Sequence, residues 1–305
     1  MSSKKPILIC VVGATAIGKT TLAIEIAKSF STEIISADSR QFYKEMRIGT
    51  AVPSAEELAV VPHHFIQNKS IFDDYSVGNF EREVLLKLSS LFEEHKVVVM
   101  VGGSGLYVDA VVKGLDEFPE VPYKIRAALN FELKSKGIEV LQKELKEVDP
   151  AYFQKVDIHN PYRLIRALEI YRSTGNPYSS FLNKEENSRS FQTIFIGLTA
   201  ARETVYQRIN ERVDKMIANG LMEEAKELVP YKELNALQTV GYRELFQYFE
   251  GSFSRENAIS EIKKNTRRFA KRQGTWFRKK EDIPWFESNT NPSEIIDYIK
   301  EKSAL

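Results

Sequence analysis

The chain holds one cysteine, Cys10, in 305 residues. An internal disulfide and any zinc site built on several cysteines are therefore excluded. Lying between Ile and Val in an apolar run, Cys10 reads as a small core residue. No apolar run approaches the ~20 residues of a membrane span. Residues 1–6 lead straight into an apolar run without the pattern of a signal peptide, so a cytoplasmic protein is expected. Net charge is only +1, so no overall excess of one sign announces a polyanionic partner. There is no Asp-x-x-Gly after a strand and no Asn-Lys-x-Asp, which argues against a GTPase, and no internal repeat. With 43% hydrophobic and 28% charged residues the composition is that of an ordinary globular protein. At ~150 residues per domain, the length suggests two domains, or one with an insert.

What is present begins at residue 7. A short apolar strand, Ile7 to Val12, runs into Gly13-x-x-x-x-Gly18-Lys19-Thr20, and the helical run Thr21 to Lys28 follows. This is the strand, loop and helix of a phosphate-binding P-loop. Its backbone N–H groups converge on one anion, and the helix adds its positive dipole end. Lys19 is expected to supply a mobile charge and the Thr20 hydroxyl to ligate a magnesium ion, and the Thr15 hydroxyl either holds the turn or touches a ligand.

Further strands read at Glu33 to Ala37, Val97 to Val101 and Thr193 to Thr199, with helical periodicity over Val84 to Glu94. The alternation predicts an α/β fold: a P-loop NTPase-like core with a mostly parallel sheet, whose ligands bind beyond the carboxyl ends of the strands. Segments 13–20, 38–41 and 102–105 fall at that edge. Lys124 to Thr174 reads as helices broken at Gly137, Asp149-Pro150 and Asn160-Pro161, with no strand signal. The expected organisation is a first core part over 1–118, a helical insert domain over 119–190, and core completion with a helical, basic C-terminal region over 191–305. Residues 176–189 are polar and expected as a surface loop.

Charge concealed in the total emerges near the C-terminus. Nine cations, Lys263, Lys264, Arg267, Arg268, Lys271, Arg272, Arg278, Lys279 and Lys280, share a stretch without an acid. Ile259, Ile262, Phe269 and Trp276 are expected to pack inward, leaving Lys264, Arg268 and Lys271 as an outward basic stripe. Such a run is commonly a solvated face; inside an otherwise balanced chain it favours a polyanion.

Asp38 closes the second strand, where a cap, a magnesium ligand and a general base are all open readings. Arg208 and Arg212, one helical turn apart on Tyr206 to Met216, would bring a guanidinium to the phosphates if that helix returns to the sheet edge. His63 and His64 are adjacent in an extended segment and point opposite ways, so they read as structural or as one polar contact.

Taken together, Gly13-Ala-Thr-Ala-Ile-Gly-Lys-Thr20, Ile35-Ser-Ala-Asp-Ser-Arg-Gln41, Ile48-Gly-Thr-Ala51, Pro62-His-His64, Val101-Gly-Gly-Ser-Gly-Leu-Tyr107, Arg163-Leu-Ile-Arg-Ala-Leu-Glu169, Val240-Gly-Tyr-Arg243 and Ala270-Lys-Arg-Gln-Gly-Thr-Trp-Phe277 stand in one order. That order resembles the bacterial tRNA dimethylallyltransferases over nearly the whole chain. The resemblance implies transfer of a dimethylallyl group from dimethylallyl diphosphate to N6 of the adenosine 3′-adjacent to the anticodon in tRNA, releasing diphosphate, with Mg²⁺. It makes residues Gly13, Ala14, Thr15, Ala16, Ile17, Gly18, Lys19 and Thr20 a diphosphate site, with Thr20 also on the metal. Asp38 becomes the base, and Lys19, Thr20 and Arg212 act with it. The matching tRNA segments supply Asp38, Ser39, Arg40, Gln41, Ser104, Arg126, Tyr162, Arg163, Arg166, Gly241, Tyr242 and Arg243, and Arg268 and Lys271 of the basic helix fit a tRNA-facing surface. The insert is expected to grip the anticodon stem-loop, and the enzyme is expected to be a monomer. Two departures stand in the P-loop, where Ala14 and Ile17 replace the usual Pro and Ser; outside it, Ser104 replaces the usual Thr with its hydroxyl kept. Rival readings are an ATP-dependent small-molecule kinase, a prenyltransferase of free adenine nucleotides, and an RNA-binding NTP switch.

Overall fold

The computed structural model describes residues 5–182 and 189–303. Six strands, β1 (Ile7–Gly13), β2 (Ile34–Ser36), β3 (His63–His64), β4 (Val97–Gly102), β5 (Gln192–Thr199) and β6 (Trp285–Glu287), form one sheet of order β3-β2-β4-β1-β5-β6. Every pairing is parallel. The continuous apolar runs of β1 and β4 follow from this: a parallel sheet covered on both faces buries every residue of its central strands, and both are buried throughout. The carboxyl ends of all six strands consequently share one edge, the position required for a ligand crevice. The edge strands β3 and β6 lie outside the strands read from the sequence. Each is too short to show a period of two.

By residue contacts the chain divides into two units, Met1–Lys113 with Arg189–Leu305, and Gly114–Ser188. In the first, α1 (Lys19–Ser29), α2 (Ala55–Val60), α3 (Val77–Glu94) and α4 (Gly105–Lys113) alternate with the strands. Helix α3 begins seven residues before the periodic run read from the sequence. There Ser76 accepts from the Asn79 amide while the Asn79 side chain returns to the Ser76 amide, a capping box that fixes the start.

The second unit holds α5 (Tyr123–Lys136), α6 (Ile138–Val148), the single turn α7 (Pro150–Phe153) and α8 (Pro161–Thr174). The breaks fall at Gly137, Asp149-Pro150 and Asn160-Pro161, as the sequence indicates. Its core is Leu129, Leu141, Leu145, Leu164, Ile165 and Leu168. Arg172 ties α8 to Glu132 of α5 and Glu144 of α6. Of the expected loop at 176–189, residues 183–188 lie outside the described residues, and Tyr178–Phe181 is a 3₁₀ turn.

The remaining helices, α9 (Arg202–Ala218), α10 (Leu221–Glu227), α11 (Tyr242–Phe249), α12 (Arg255–Arg278) and α13 (Pro292–Ser303), complete the first unit. On α12 the inward face is Ala258, Ile262, Ala270, Gln273, Gly274 and Phe277. Phe269 and Trp276, expected in the core, are instead 38% and 41% exposed and line a cavity.

Candidate active site

Two cavities open at the carboxyl edge of the sheet. The first, of ≈ 670 Å³, is lined by the P-loop, by Asp38 and Gln41 after β2, by the segment Arg47 to Ser54, and by Arg208, Arg212 and Lys215 of α9. Helix α1 starts from Gly18 with no side chain capping it, so the amides of its first turn are left for an anion. Lys19 donates from Nζ to the Ala14 carbonyl at 2.7 Å. Burial lowers its pKa to about 8, Asp38 acts to raise it and Arg212 to lower it. Burial likewise lowers the pKa of Arg212, whose Nη1 donates to the Thr15 hydroxyl at 3.1 Å. Arg208 differs from its neighbour one turn on: it donates to the Ile17 carbonyl and to Ser288 Oγ, and so braces the loop.

The second cavity, of ≈ 610 Å³, lies against Ser39, Arg40, Ser104, Gly241, Arg243 and the α12 face bearing Phe269, Arg272 and Trp276. Thr15, Asp38 and Arg212 belong to the walls of both cavities. Asp38 Oδ1 accepts the Arg40 amide at 3.0 Å, which folds the chain into a turn after β2 and holds the carboxylate at the junction. No hydrogen bond to Oδ2 is found among the described residues.

Three buried or partly buried groups, Gln273, Ser104 and Glu224, fix this junction; the first two lie in motifs read from the sequence, though their roles do not show there, and Glu224 lies in none. Gln273 accepts from the Thr15 amide at 2.8 Å and donates to the Gly103 carbonyl at 3.0 Å, which settles which end of its amide is oxygen. The approach is so close that a Cβ on Gly103 would lie 2.2 Å from Gln273 Nε2. The Ser104 hydroxyl meets the Ser39 amide and hydroxyl, each at 3.1 Å. Glu224 accepts the successive amides of Arg47, Ile48 and Gly49 and the Tyr242 hydroxyl. His63, in the wall of the first cavity, donates from Nδ1 to the Val61 carbonyl, while its buried Nε2 has no partner among the described residues.

A family model described as IPP transferase matches residues 41–280. The chain belongs to this family. It is 61% identical over 295 residues to the tRNA dimethylallyltransferase of Christiangramia forsetii, covering 97% of this chain and 98% of the relative. It is 56% identical to that of Flavobacterium johnsoniae, with 96% and 97% covered. The solved tRNA isopentenylpyrophosphate transferase of Bacillus halodurans superposes with a TM-score of 0.73 at 36% identity, covering 98% of this chain and 97% of that one. A eukaryotic dimethylallyltransferase described as acting on tRNA superposes at 0.80 with 27% identity, covering 98% and 80%.

The family motifs are distributed unequally over the site. Gly13 ends β1, residues 14–20 follow it, and Ser39, Arg40, Ser104, Gly241 and Arg243 surround the second cavity. Arg40 donates to the carbonyls of Asn235 and Ala236, and Gln41 to those of Thr50 and Ala51, so both side chains also hold the protein together. Tyr242 requires a correction. It is fully buried with its hydroxyl on Glu224, so its side chain supports the 47–49 turn and offers RNA nothing. The basic stripe is also thinner than its sequence: Lys263, Lys264 and Lys280 are paired with Asp214, Glu261 and Asp109. Two of those acids come from other helices, invisible to a local charge count. Arg268 and Lys271 remain exposed, Arg268 against Asn265. In the second unit Tyr162 is 83% exposed, Arg163 is exposed, and Arg126 and Arg166 both donate to buried Glu169.

Proposed function

We propose that this chain transfers the dimethylallyl group of dimethylallyl diphosphate to N6 of the adenosine 3′-adjacent to the anticodon in tRNA. The observation that carries the reading is the shared wall: Thr15, Asp38 and Arg212 belong to an anion-binding cavity and to a second cavity at once. A donor diphosphate in the first and an acceptor base in the second would meet there. The relatives named above as tRNA dimethylallyltransferases support it.

In this reading the loop amides, Lys19 and Arg212 hold the diphosphate and stabilise the charge that grows as its C–O bond breaks. The electron pair of that bond leaves on the diphosphate oxygen. N6 forms the new bond to the allylic carbon and passes a proton to the Asp38 carboxylate, which releases it to solvent. An exocyclic amine is a weak nucleophile, so orientation of the two reactants supplies much of the acceleration. The Thr20 hydroxyl, in the wall of the first cavity, is a hard oxygen donor that would help hold one Mg²⁺ beside the diphosphate. Bound there, the ion would neutralise the leaving group. Ser39, Arg40, Ser104, Gly241 and Arg243 frame the entering nucleotide, with Gln41 next to them in the wall of the first cavity, while Arg126, Tyr162, Arg163, Arg166, Arg268 and Lys271 contact the remainder of the stem-loop. An unpaired loop base leaves its stack at a cost of only a few kcal/mol.

Labelled dimethylallyl diphosphate should be offered with unmodified tRNA, with adenosine monophosphate, and, in a third reaction, replaced by ATP with a small acceptor. Label in tRNA alone is expected. Label in the mononucleotide, or phosphoryl transfer from ATP, would assign the site to one of the rival chemistries.

A further inference from the structure

A third cavity, of ≈ 290 Å³, adjoins the P-loop and shares Ile17 with the first. Its floor is apolar: Ala14 and Ile17 of the loop, Leu198 and Ala200 at the end of β5, and Val205 of α9. Tyr206 and Trp285 stand in its wall. The Arg202 guanidinium lies 5.0 Å from the Tyr206 ring centre and that of Arg278 lies 5.8 Å from Trp285, while Lys271 adds a third cation. Among the described residues none of these three cations is in an ion pair, although Lys263, Lys264 and Lys280 of the same stretch are. Three uncompensated cations around an apolar hollow repel one another, and an anion placed among them removes that repulsion. Rings beside guanidinium groups favour a flat aromatic ligand, which can lie against both kinds of surface. The volume sits at the low end for small-molecule sites and admits one such group.

We propose that this cavity binds a free mononucleotide, its base against Tyr206 or Trp285 and its phosphate on Arg202, Lys271 and Arg278. The site is separate from the donor and acceptor cavities and does not depend on the reaction assigned to them. Because Ala14 and Ile17 belong to the P-loop, and Arg208 holds the Ile17 carbonyl, an occupant touches the element that binds the donor anion. Occupancy therefore couples to diphosphate affinity, and by linkage the coupling is reciprocal.

The chain has two tryptophans, and Trp276 lines the second cavity, so a Trp276→Phe chain reports on Trp285 alone. Titration with adenosine monophosphate is expected to quench Trp285 saturably, with adenosine and inorganic phosphate each ~10-fold weaker because each supplies half of the recognition. Joint Arg202→Glu and Arg278→Glu replacement should weaken the mononucleotide by ~10-fold or more. In the unsubstituted chain the same signal should be the component that Trp285→Phe removes. No saturable quench up to ~10 mM, or equal binding by the double charge reversal, would overturn the proposal. So would quenching by single-stranded RNA but not by the mononucleotide.

Discussion

Replacement of Gln273 by Ala tests whether the two cavities act as one site. The side chain bridges the Thr15 amide of the P-loop to the Gly103 carbonyl after β4, and is 6% exposed. Thr15 belongs to both cavity walls, and Gly103 precedes the Ser104 hydroxyl that holds Ser39. Removing the amide cuts two hydrogen bonds worth ~0.5–1.5 kcal/mol each, so ~2 kcal/mol of positioning is lost. If that loss falls on the alignment of donor and acceptor, it corresponds to a fall of ~30-fold in kcat. The loop amides, Lys19 and Arg212 survive the change, so affinity for dimethylallyl diphosphate should move less than ~3-fold. Single-turnover prenylation measured beside equilibrium donor binding separates the two effects. Gln273→Glu supplies the discriminating comparison: a carboxylate still accepts from Thr15 but cannot donate to Gly103, so donor binding should stay near normal while transfer remains slow. Thermal melts identify any variant that is merely unfolded. If Gln273→Ala turns over within about twofold of the parent, or loses donor affinity in proportion to rate, the bridge does not align the reactants.

Asp38→Ala should nearly abolish prenyl transfer while tRNA binding, measured by filter retention, stays close to normal; full turnover would remove Asp38 from the role of base. Lys19, held at about 8, is charged below that pH and neutral above it, so donor affinity of the free enzyme should fall as pH rises through 8. In stability the same group works the other way. Between pH 8 and its ordinary 10.5 the unfolded chain binds more protons, so Lys19 makes the fold more stable as pH rises, a slope that Lys19→Met should remove from urea titrations. Joint replacement of Arg268 and Lys271 by Ala should weaken tRNA binding and flatten its salt dependence; an unchanged slope returns that helix face to solvent. Gly49→Ala would place a Cβ 2.6 Å from the Tyr242 ring, displacing the turn that Glu224 holds, and should lower the melting temperature as well as activity.

The legible parts of the molecule were those written in short-range pattern. β1, the P-loop and α1 occupy consecutive residues, and the breaks between α5, α6, α7 and α8 are spelled out by Gly and Pro. The family motifs carry the region of the site as well, since motifs mark positions even where geometry is hidden. What could not be read there is pairing between distant segments. Lys263 meets Asp214, Gln273 meets Thr15, and Tyr242 disappears beneath Glu224 through contacts that no local window contains. Phe269 and Trp276 misled for a related reason: helical spacing reports a common face, and that face is the wall of a cavity.

The order in which these parts leave the ribosome bears on when the site can exist. β1 pairs with β4 and, from Ile7↔Gln192 onward, with β5, which emerges only after the whole second unit. The amide of Thr15 then waits for Gln273, 258 residues away. The P-loop thus acquires its neighbours from helices synthesised long after it. A nascent or truncated chain would carry the anion-binding sequence without the walls that shape it, and would not sequester the prenyl donor. The fold thereby delays assembly of the site until α12 has emerged, and contacts of such high sequence separation make that closing step slow.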